Sequence, residues 1–314
     1  MNIISIYNKF KSQEDCIKHL ELTRWNGIAT CPYCNSKKSH KNKGENRHYC
    51  HTCKTSYCVT VGTIFHNTKL PLQKWFLAIS LIINAKKGIA SRQLARDLEV
   101  TKDTAWRMQM QIRKAMVEMP SLMTGIVEMD ETYIGGKPKK KSDNNGNFGS
   151  DGSNNTNNSN NSSNNTNSGA KLKRGRGTTK TPVVGCVSRD GRVNAKVMHR
   201  LTFKDLKDFA SANIDFDNAV LFTDDYRAYI PFKSLIKHES VNHSKKQYVK
   251  DGYIHTNTIE GFWALLKRGI TGQYHYLSDK HLNKYIQEFC FKYNNRYMAS
   301  ENVFANVLNN AVFN

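Results

Sequence analysis

Two groups of residues in this 314-residue chain have the types and spacing to do chemistry. The first is sulfur. Cys31-Pro-Tyr-Cys34 and Cys50-His-Thr-Cys53 are two C-x-x-C knuckles with fifteen residues between them. Each knuckle presents two thiolates at adjacent corners of a tetrahedron, and four thiolates at roughly 2.3 Å satisfy a structural Zn²⁺. Cys58 and His48 stand close by, but four cysteines close the site, so neither is expected as a ligand. Closed sites of this kind fold small domains and seldom catalyse.

The second group is acidic. Asp130 ends the short apolar run Ile126–Met129, and Asp224 ends Asn218–Phe222. Glu260 falls near the start of a helical pattern over Thr258–Arg268. An acid at the end of a buried strand is costly unless it is paired or binds a metal. Two such strand ends on one sheet, faced by a helix acid, can hold two Mg²⁺ (or Mn²⁺) ions for an in-line phosphoryl displacement. Asn257 lies three residues before Glu260 and Lys267 seven after it, so one helix face offers oxygen ligands and a cation. Strand alternation leaves Glu128 on the same side as Asp130. Glu131 and Asp225 are further neighbours.

These residues need elements to position them. Residues 1–66 hold most of the eight cysteines and little apolar periodicity. Helices are expected from about Gln73 to Ala85, at Ser91–Leu98 with a Ser cap, and from Lys102 to about Val117 behind a Thr101 cap. The last two have the shape of a helix-turn-helix, with Leu94, Ala95 and Leu98 inward and Val100 in the turn. The second helix carries Arg107, Gln109, Gln111 and Arg113. In that motif its first residues lie nearest the bases, so Lys102, Asp103, Thr104 and Arg107 are candidate DNA contacts. Strands follow at Ile126–Met129, Thr181–Val187, Val193–His199 and Asn218–Phe222. Helical patterns cover Thr202–Ala212, Thr258–Arg268 and Asp279–Asn294. Strands early and helices late suggest a mixed sheet covered by helices. Residues 142–169 are almost all Asn, Ser, Gly and Thr, a composition that cannot offset its ordering entropy, and are expected to form a disordered surface loop between basic runs.

The charge points to a partner. Lys and Arg number 47 against 26 Asp and Glu, a net of +21. An excess of that size favours a polyanion, nucleic acid first and an anionic membrane surface second. The longest apolar run, Trp75–Ala85, is broken by Ser80 and Asn84 and falls short of the roughly 20 residues a bilayer requires. The first fifteen residues lack the pattern of a signal peptide. A reducing compartment is therefore expected, where paired cysteines read as metal ligands.

With those residues in view, the chain resembles the ISXO-like insertion-sequence DDE transposases, relatives of the Merlin elements. The matching stretches are Cys31–Cys34, Tyr49–Cys53, Gly62–Phe65, Leu70–Trp75, Asp130–Lys137, Thr223-Asp224, His255–Trp263 and Leu266–Arg268. Together they cover about residues 14–300, apart from the Asn/Ser tract. The resemblance implies a zinc ribbon over 14–66, a helix-turn-helix region over 67–122, and an RNase H-like catalytic domain over 123–300. Residues 301–314 remain as a C-terminal helix or tail. It implies Asp130 and Asp224 as the first two metal ligands, and either Asn257 or Glu260 as the third, followed by Lys267. Thirty-five residues lie between Asp224 and Glu260, the separation common in DDE enzymes, and a carboxylate neutralises metal charge where an amide does not.

The function so implied is metal-dependent cleavage at terminal inverted repeats and strand transfer into target DNA, by at least a dimer on DNA. Its setting would be the bacterial nucleoid or the eukaryotic nucleus. One rival is a domesticated or inactive element that only binds DNA, which needs the ribbon and helix-turn-helix but no catalytic metal. A second is a zinc-ribbon nuclease that cuts structured DNA without joining strands.

Overall fold

The structure is a computed structural model that describes residues 1–119, 121–135, 178, 180–189, 191–241 and 255–313. The Asn/Ser tract at 142–169 and its flanking basic runs lie outside the described residues.

The first 25 residues, where little apolar periodicity was found, form two helices: α1 (Ile3–Lys9) and α2 (Gln13–Trp25). A capping box between Ser12 and Asp15 starts α2. Ile6, Phe10, Cys16, Ile17 and Leu20 are buried, so Cys16 belongs to a core and stands apart from the cysteine knuckles. Then come three short antiparallel strands, β1 (Ser39–Lys41), β2 (His48–Cys50) and β3 (Ser56–Tyr57), which carry the knuckles.

Helices α3 (Leu72–Asn84), α4 (Ser91–Leu98) and α5 (Lys102–Ala115) follow. They share one apolar core with α1, α2 and the last helix, α9 (Ser300–Phe313). Val303, Phe304, Val307, Leu308 and Ala311 of α9 are buried there. The Thr101 cap on α5 is present, its hydroxyl accepting from the Thr104 amide. The Ser91 cap is not. Ala90 holds that position without a side-chain bond, and the Ser91 hydroxyl donates instead to Gln109 Oε1 at 2.8 Å. Gln109 and Arg113 are buried, because α5 is gripped from two sides and only one stripe of it meets solvent.

The second body is built on a five-stranded sheet. Its strands are β4 (Met123–Ile134), β5 (Thr181–Ser188), β6 (Val193–Val197), β7 (Ile214–Asp224) and β8 (Lys237–Val241), in spatial order β6-β5-β4-β7-β8. β4, β5 and β6 form an antiparallel meander, while β7 and β8 run parallel to β4. β8 and the 3₁₀ helix Arg227–Ser234 had no counterpart among the expected elements. Helix α6 (Phe203–Ser211) and that 3₁₀ helix cover one face of the sheet. Helices α7 (Asn257–Gly269) and α8 (Asp279–Asn294) cover the other. Alternation along β5 serves both layers, Val183 and Val187 facing α7 and α8 while Val184 and Cys186 face α6. An antiparallel meander joined to two parallel strands, with helices on both faces, is the RNase H-like arrangement. No helix among the described residues is long and apolar enough to cross a membrane.

Candidate active site

The parallel register of β4 and β7 ends at Glu128 opposite Phe222. Two residues further on each strand stand Asp130 and Asp224, so the register alone puts both acids at one level on neighbouring strands. One carboxylate oxygen from each of Asp130, Asp224 and Glu131 lies within 4.8 Å of the others. Octahedral Mg²⁺ binds oxygens at about 2.1 Å, which sets its ligand oxygens about 3 to 4 Å apart, and three carboxylate oxygens held within 4.8 Å of one another lie near that spacing. Glu131, noted in the sequence only as a neighbour of Asp130, is the third member. Its Oε2 accepts from the Tyr229 hydroxyl at 2.9 Å, which ties it to the 3₁₀ helix just past the end of β7. Burial pushes the Tyr229 hydroxyl well above its ordinary pKa, so Tyr229 stays a neutral donor.

Burial also pushes the Asp130 carboxyl up to about 7, with Glu131 and Asp224 adding to the shift. Packed carboxylates in a dry pocket hold protons unless a cation neutralises them. The Trp263 indole N–H donates to Asp130 Oδ2 at 3.1 Å and orients it. Room for that ring comes from Gly185, the β5 partner of Asp130, where a Cβ would lie 2.6 Å from the ring.

Glu128, left open by alternation as a partner of Asp130, does something else. It is fully buried and accepts from the Thr258 amide at 2.8 Å, the Ile259 amide at 3.1 Å and the Thr258 hydroxyl at 2.9 Å. Arg189 Nε stands 3.0 Å away and His255 Nδ1 3.3 Å. A carboxylate therefore holds the first turn of α7, where orphan amides and the helix dipole favour an anion. This anchors α7 to the strand that carries Asp130. Asn257, Glu260 and Lys267 lie along the exposed side of α7, while Ile259, Phe262, Trp263 and Leu266 are buried. Glu260 accepts from the Thr256 hydroxyl at 3.4 Å. Glu260 is not a member of the compact three-carboxylate cluster, and the nearest sequence signal for Glu131 was only its adjacency to Asp130.

In the ribbon, Cys31, Cys34, Cys50 and Cys53 converge, with Cys31–Cys53 and Cys34–Cys50 sulfur distances of 3.6 Å. Tetrahedral Zn²⁺ at 2.3 Å from sulfur requires about 3.8 Å, so the four fit. The Cys53 and Thr52 amides point at the Cys50 sulfur and draw its pKa down to about 6. His48 pairs with Glu21 at 3.0 Å and Cys58 with the Thr60 hydroxyl at 3.0 Å, away from the four. On α5, Lys102, Asp103 and Arg107 are exposed and Thr104 half-buried; Lys102 and Asp103 make a 3.4 Å ion pair.

Residues 122–294 match the model of the ISXO2-like transposase domain. The chain belongs to the ISXO2-like transposase family. Residues 11–56 match the transposase zinc-ribbon domain that accompanies it. A protein in the transposable element ISH50 of Halobacterium salinarum, itself uncharacterized, is 25% identical over 288 residues, covering 89% of this chain and 90% of its own. Among solved structures, a Mos1 transposase paired-end complex with left transposon end aligns at 13% identity and TM-score 0.29, over 75% of this chain and 78% of that one. A pre-cleavage Mos1 transpososome aligns at 11% identity and TM-score 0.27, over 98% and 96%. The RNase H-like assignment of this transposase rests on its own sheet order and on the family match.

Proposed function

We propose that this ISXO2-like transposase cleaves DNA at the terminal inverted repeats of its element and joins the freed ends to target DNA. The observation that carries the proposal is the convergence of Asp130, Glu131 and Asp224 at the ends of neighbouring strands, beside the helix that holds Asn257 and Glu260. In the first step the oxygen of water attacks the scissile phosphorus and the bond to the 3′-oxygen breaks, leaving a 3′-hydroxyl. In the second, that hydroxyl attacks a target phosphorus and the target's own 3′-oxygen leaves. Two divalent ions, Mg²⁺ or Mn²⁺, would supply activation of the attacking oxygen and neutralisation of the leaving one.

The chain's own part is positioning. Asp130, aimed by Trp263, and Asp224 are the first two ligands of the ions. Glu260 is the third in this reading, Asn257 is the second candidate on the same helix side, and Glu131, which lies beside Asp130 and Asp224, is a further candidate. Lys267, two turns beyond Glu260, meets a DNA phosphate. The ribbon holds structural Zn²⁺ and, with the helix-turn-helix at Lys102, Asp103, Thr104 and Arg107, binds the terminal repeats. Cutting two ends together takes at least two copies on the DNA.

The test is cleavage and joining of a labelled terminal-repeat duplex in Mg²⁺ or Mn²⁺. Asp130→Ala and Asp224→Ala should each lower joining at least about a thousandfold. Among Glu131→Ala, Asn257→Ala and Glu260→Ala, the variant matching that loss is the third ligand. Binding without cleavage by the wild-type chain would instead show a protein that only binds DNA. Cleavage that survives both Asp changes would sink the proposed site.

A further inference from the structure

Two stretches of the family pattern, Gly62–Phe65 and Leu70–Trp75, have no part in the chemistry above. They frame the loop that leads from the ribbon to α3, and this loop is firmly built. The Thr63 hydroxyl donates to Thr60 O at 2.7 Å, the Ile64 amide reaches Ala311 O of α9 at 3.1 Å, and Trp75 Nε1 donates to the Thr68 hydroxyl at 2.9 Å. Phe65 packs edge-on against Trp75 at 5.4 Å. With Ile64 and Phe65 buried, the loop turns His66, Asn67 and Lys69 outward.

The loop forms one wall of a groove of about 640 Å³, and α5 forms the other. Thr104, Arg107, Gln111 and Lys114 line the α5 side at the i, i+3, i+7 and i+10 spacing of a single helix face, and Lys69 lines the loop side. Among the described residues no Asp or Glu lines the groove, and Lys69, Arg107 and Lys114 bring cations to it. From Thr104 to Lys114 is ten residues, about 15 Å along the axis. The major groove of duplex DNA is about 12 Å wide. A helix that puts Thr104 near base edges therefore brings Lys114 to the level of a flanking sugar–phosphate strand.

We propose that this groove seats one sugar–phosphate strand of the element-end duplex, with Lys69, Arg107 and Lys114 on its phosphates. The loop of residues 60–70 is then a second DNA-binding wall facing the helix-turn-helix, and the family's Gly62–Phe65 and Leu70–Trp75 stretches serve to stiffen it. This rests on the transposase reading, and deepens it by assigning where the backbone runs.

The experiment is fluorescence anisotropy of the full chain with a labelled terminal-repeat duplex and an unrelated duplex of equal length, over about 50 to 200 mM KCl. Lys69→Ala, Lys114→Ala and the double variant are compared with wild type and with Lys204→Ala on α6. A phosphate contact carries no sequence information. Each groove variant should therefore weaken both duplexes by the same several-fold factor and reduce the salt slope by about 0.9, the double variant by about twice that, with Lys204→Ala unchanged. A double variant with wild-type affinity and slope overturns the groove assignment alone. Loss confined to the terminal-repeat duplex also overturns it, since that is base readout. A wild-type chain that binds neither duplex overturns the groove and the transposase reading together.

Discussion

Asp130 and Glu128 sit two residues apart on one strand and do opposite jobs, because their surroundings differ. Asp130 has two carboxylates beside it, while Glu128 has the amides of α7, Arg189 and His255. Glu128→Ala removes the acceptor of the Thr258 and Ile259 amides, at a cost of about 1–3 kcal/mol for the unmet amides. Its activity should fall further than its stability, because the first turn of α7 loses its anchor. Turnover measured well below the melting temperature, beside a denaturation curve, tests this; equal activity in a folded variant would show that the anchor is dispensable. Asp130 makes a prediction of opposite sign to most acids. Its folded pKa of about 7 lies above its unfolded value, so without metal its share of stability is greatest below about pH 4 and declines as pH rises towards 7. A divalent ion requires the deprotonated form. Mg²⁺ or Mn²⁺ should therefore raise the melting temperature more at pH 8 than at pH 5.5, and Asp130→Asn should abolish the difference.

At the scale of elements, the contact that matters most is α7 against β4 and β5. Trp263 reaches Asp130 only because Gly185 has no side chain. Gly185→Ala would place a methyl 2.6 Å from the indole, so the ring must shift and its hydrogen bond to Asp130 must lengthen or break. The expected cost is about 1–3 kcal/mol in stability, from overpacking, with a larger proportional loss of cleavage. Urea denaturation beside the cleavage assay measures both, and an unchanged cleavage rate would mean that Trp263 does not position Asp130. The strands that build the site were legible as apolar runs ending in acids. Strand β8 was not: it is five residues of Lys, His, Glu, Ser and Val at the sheet edge, with no apolar run to mark it.

Across the whole molecule, the helical body that holds α5 and the five-stranded sheet with its covering helices are joined through a buried charge cluster. Arg113 of α5 meets Glu288 of α8 at 2.7 Å, and Lys292 meets the same carboxylate at 2.5 Å. Arg113 also lies 3.8 Å over the Tyr285 ring. Burial alone would push Glu288 up, but Lys292 and Arg113 outweigh it and hold the carboxyl at about 2. Burial draws Lys292 down more than Glu288 raises it, yet a carboxylate between two cations stays charged. Glu288→Ala strands two buried cations and should cost about 3–5 kcal/mol in urea denaturation. Because the folded pKa is depressed, the wild-type contribution is complete above about pH 4.5 and is lost as pH falls through about 2. The variant should therefore show a flatter acid limb, and parallel limbs would mean the cluster contributes nothing.

Local chemistry was readable along the chain. Two cysteine knuckles, two strand-ending acids and the Thr101 cap of α5 each depend on residues close in sequence, so spacing alone marks them. Interactions between distant residues were not readable. Arg113 looked like one more basic residue on a DNA-facing helix, and only the approach of α8, 175 positions later, turned it inward. Glu128 and Asp130 were indistinguishable by alternation, and the docking of α7 separated their roles. Glu131 joined the acidic cluster through Tyr229, nearly a hundred residues away. Periodicity records which side of an element is buried, and it cannot record which partner does the burying.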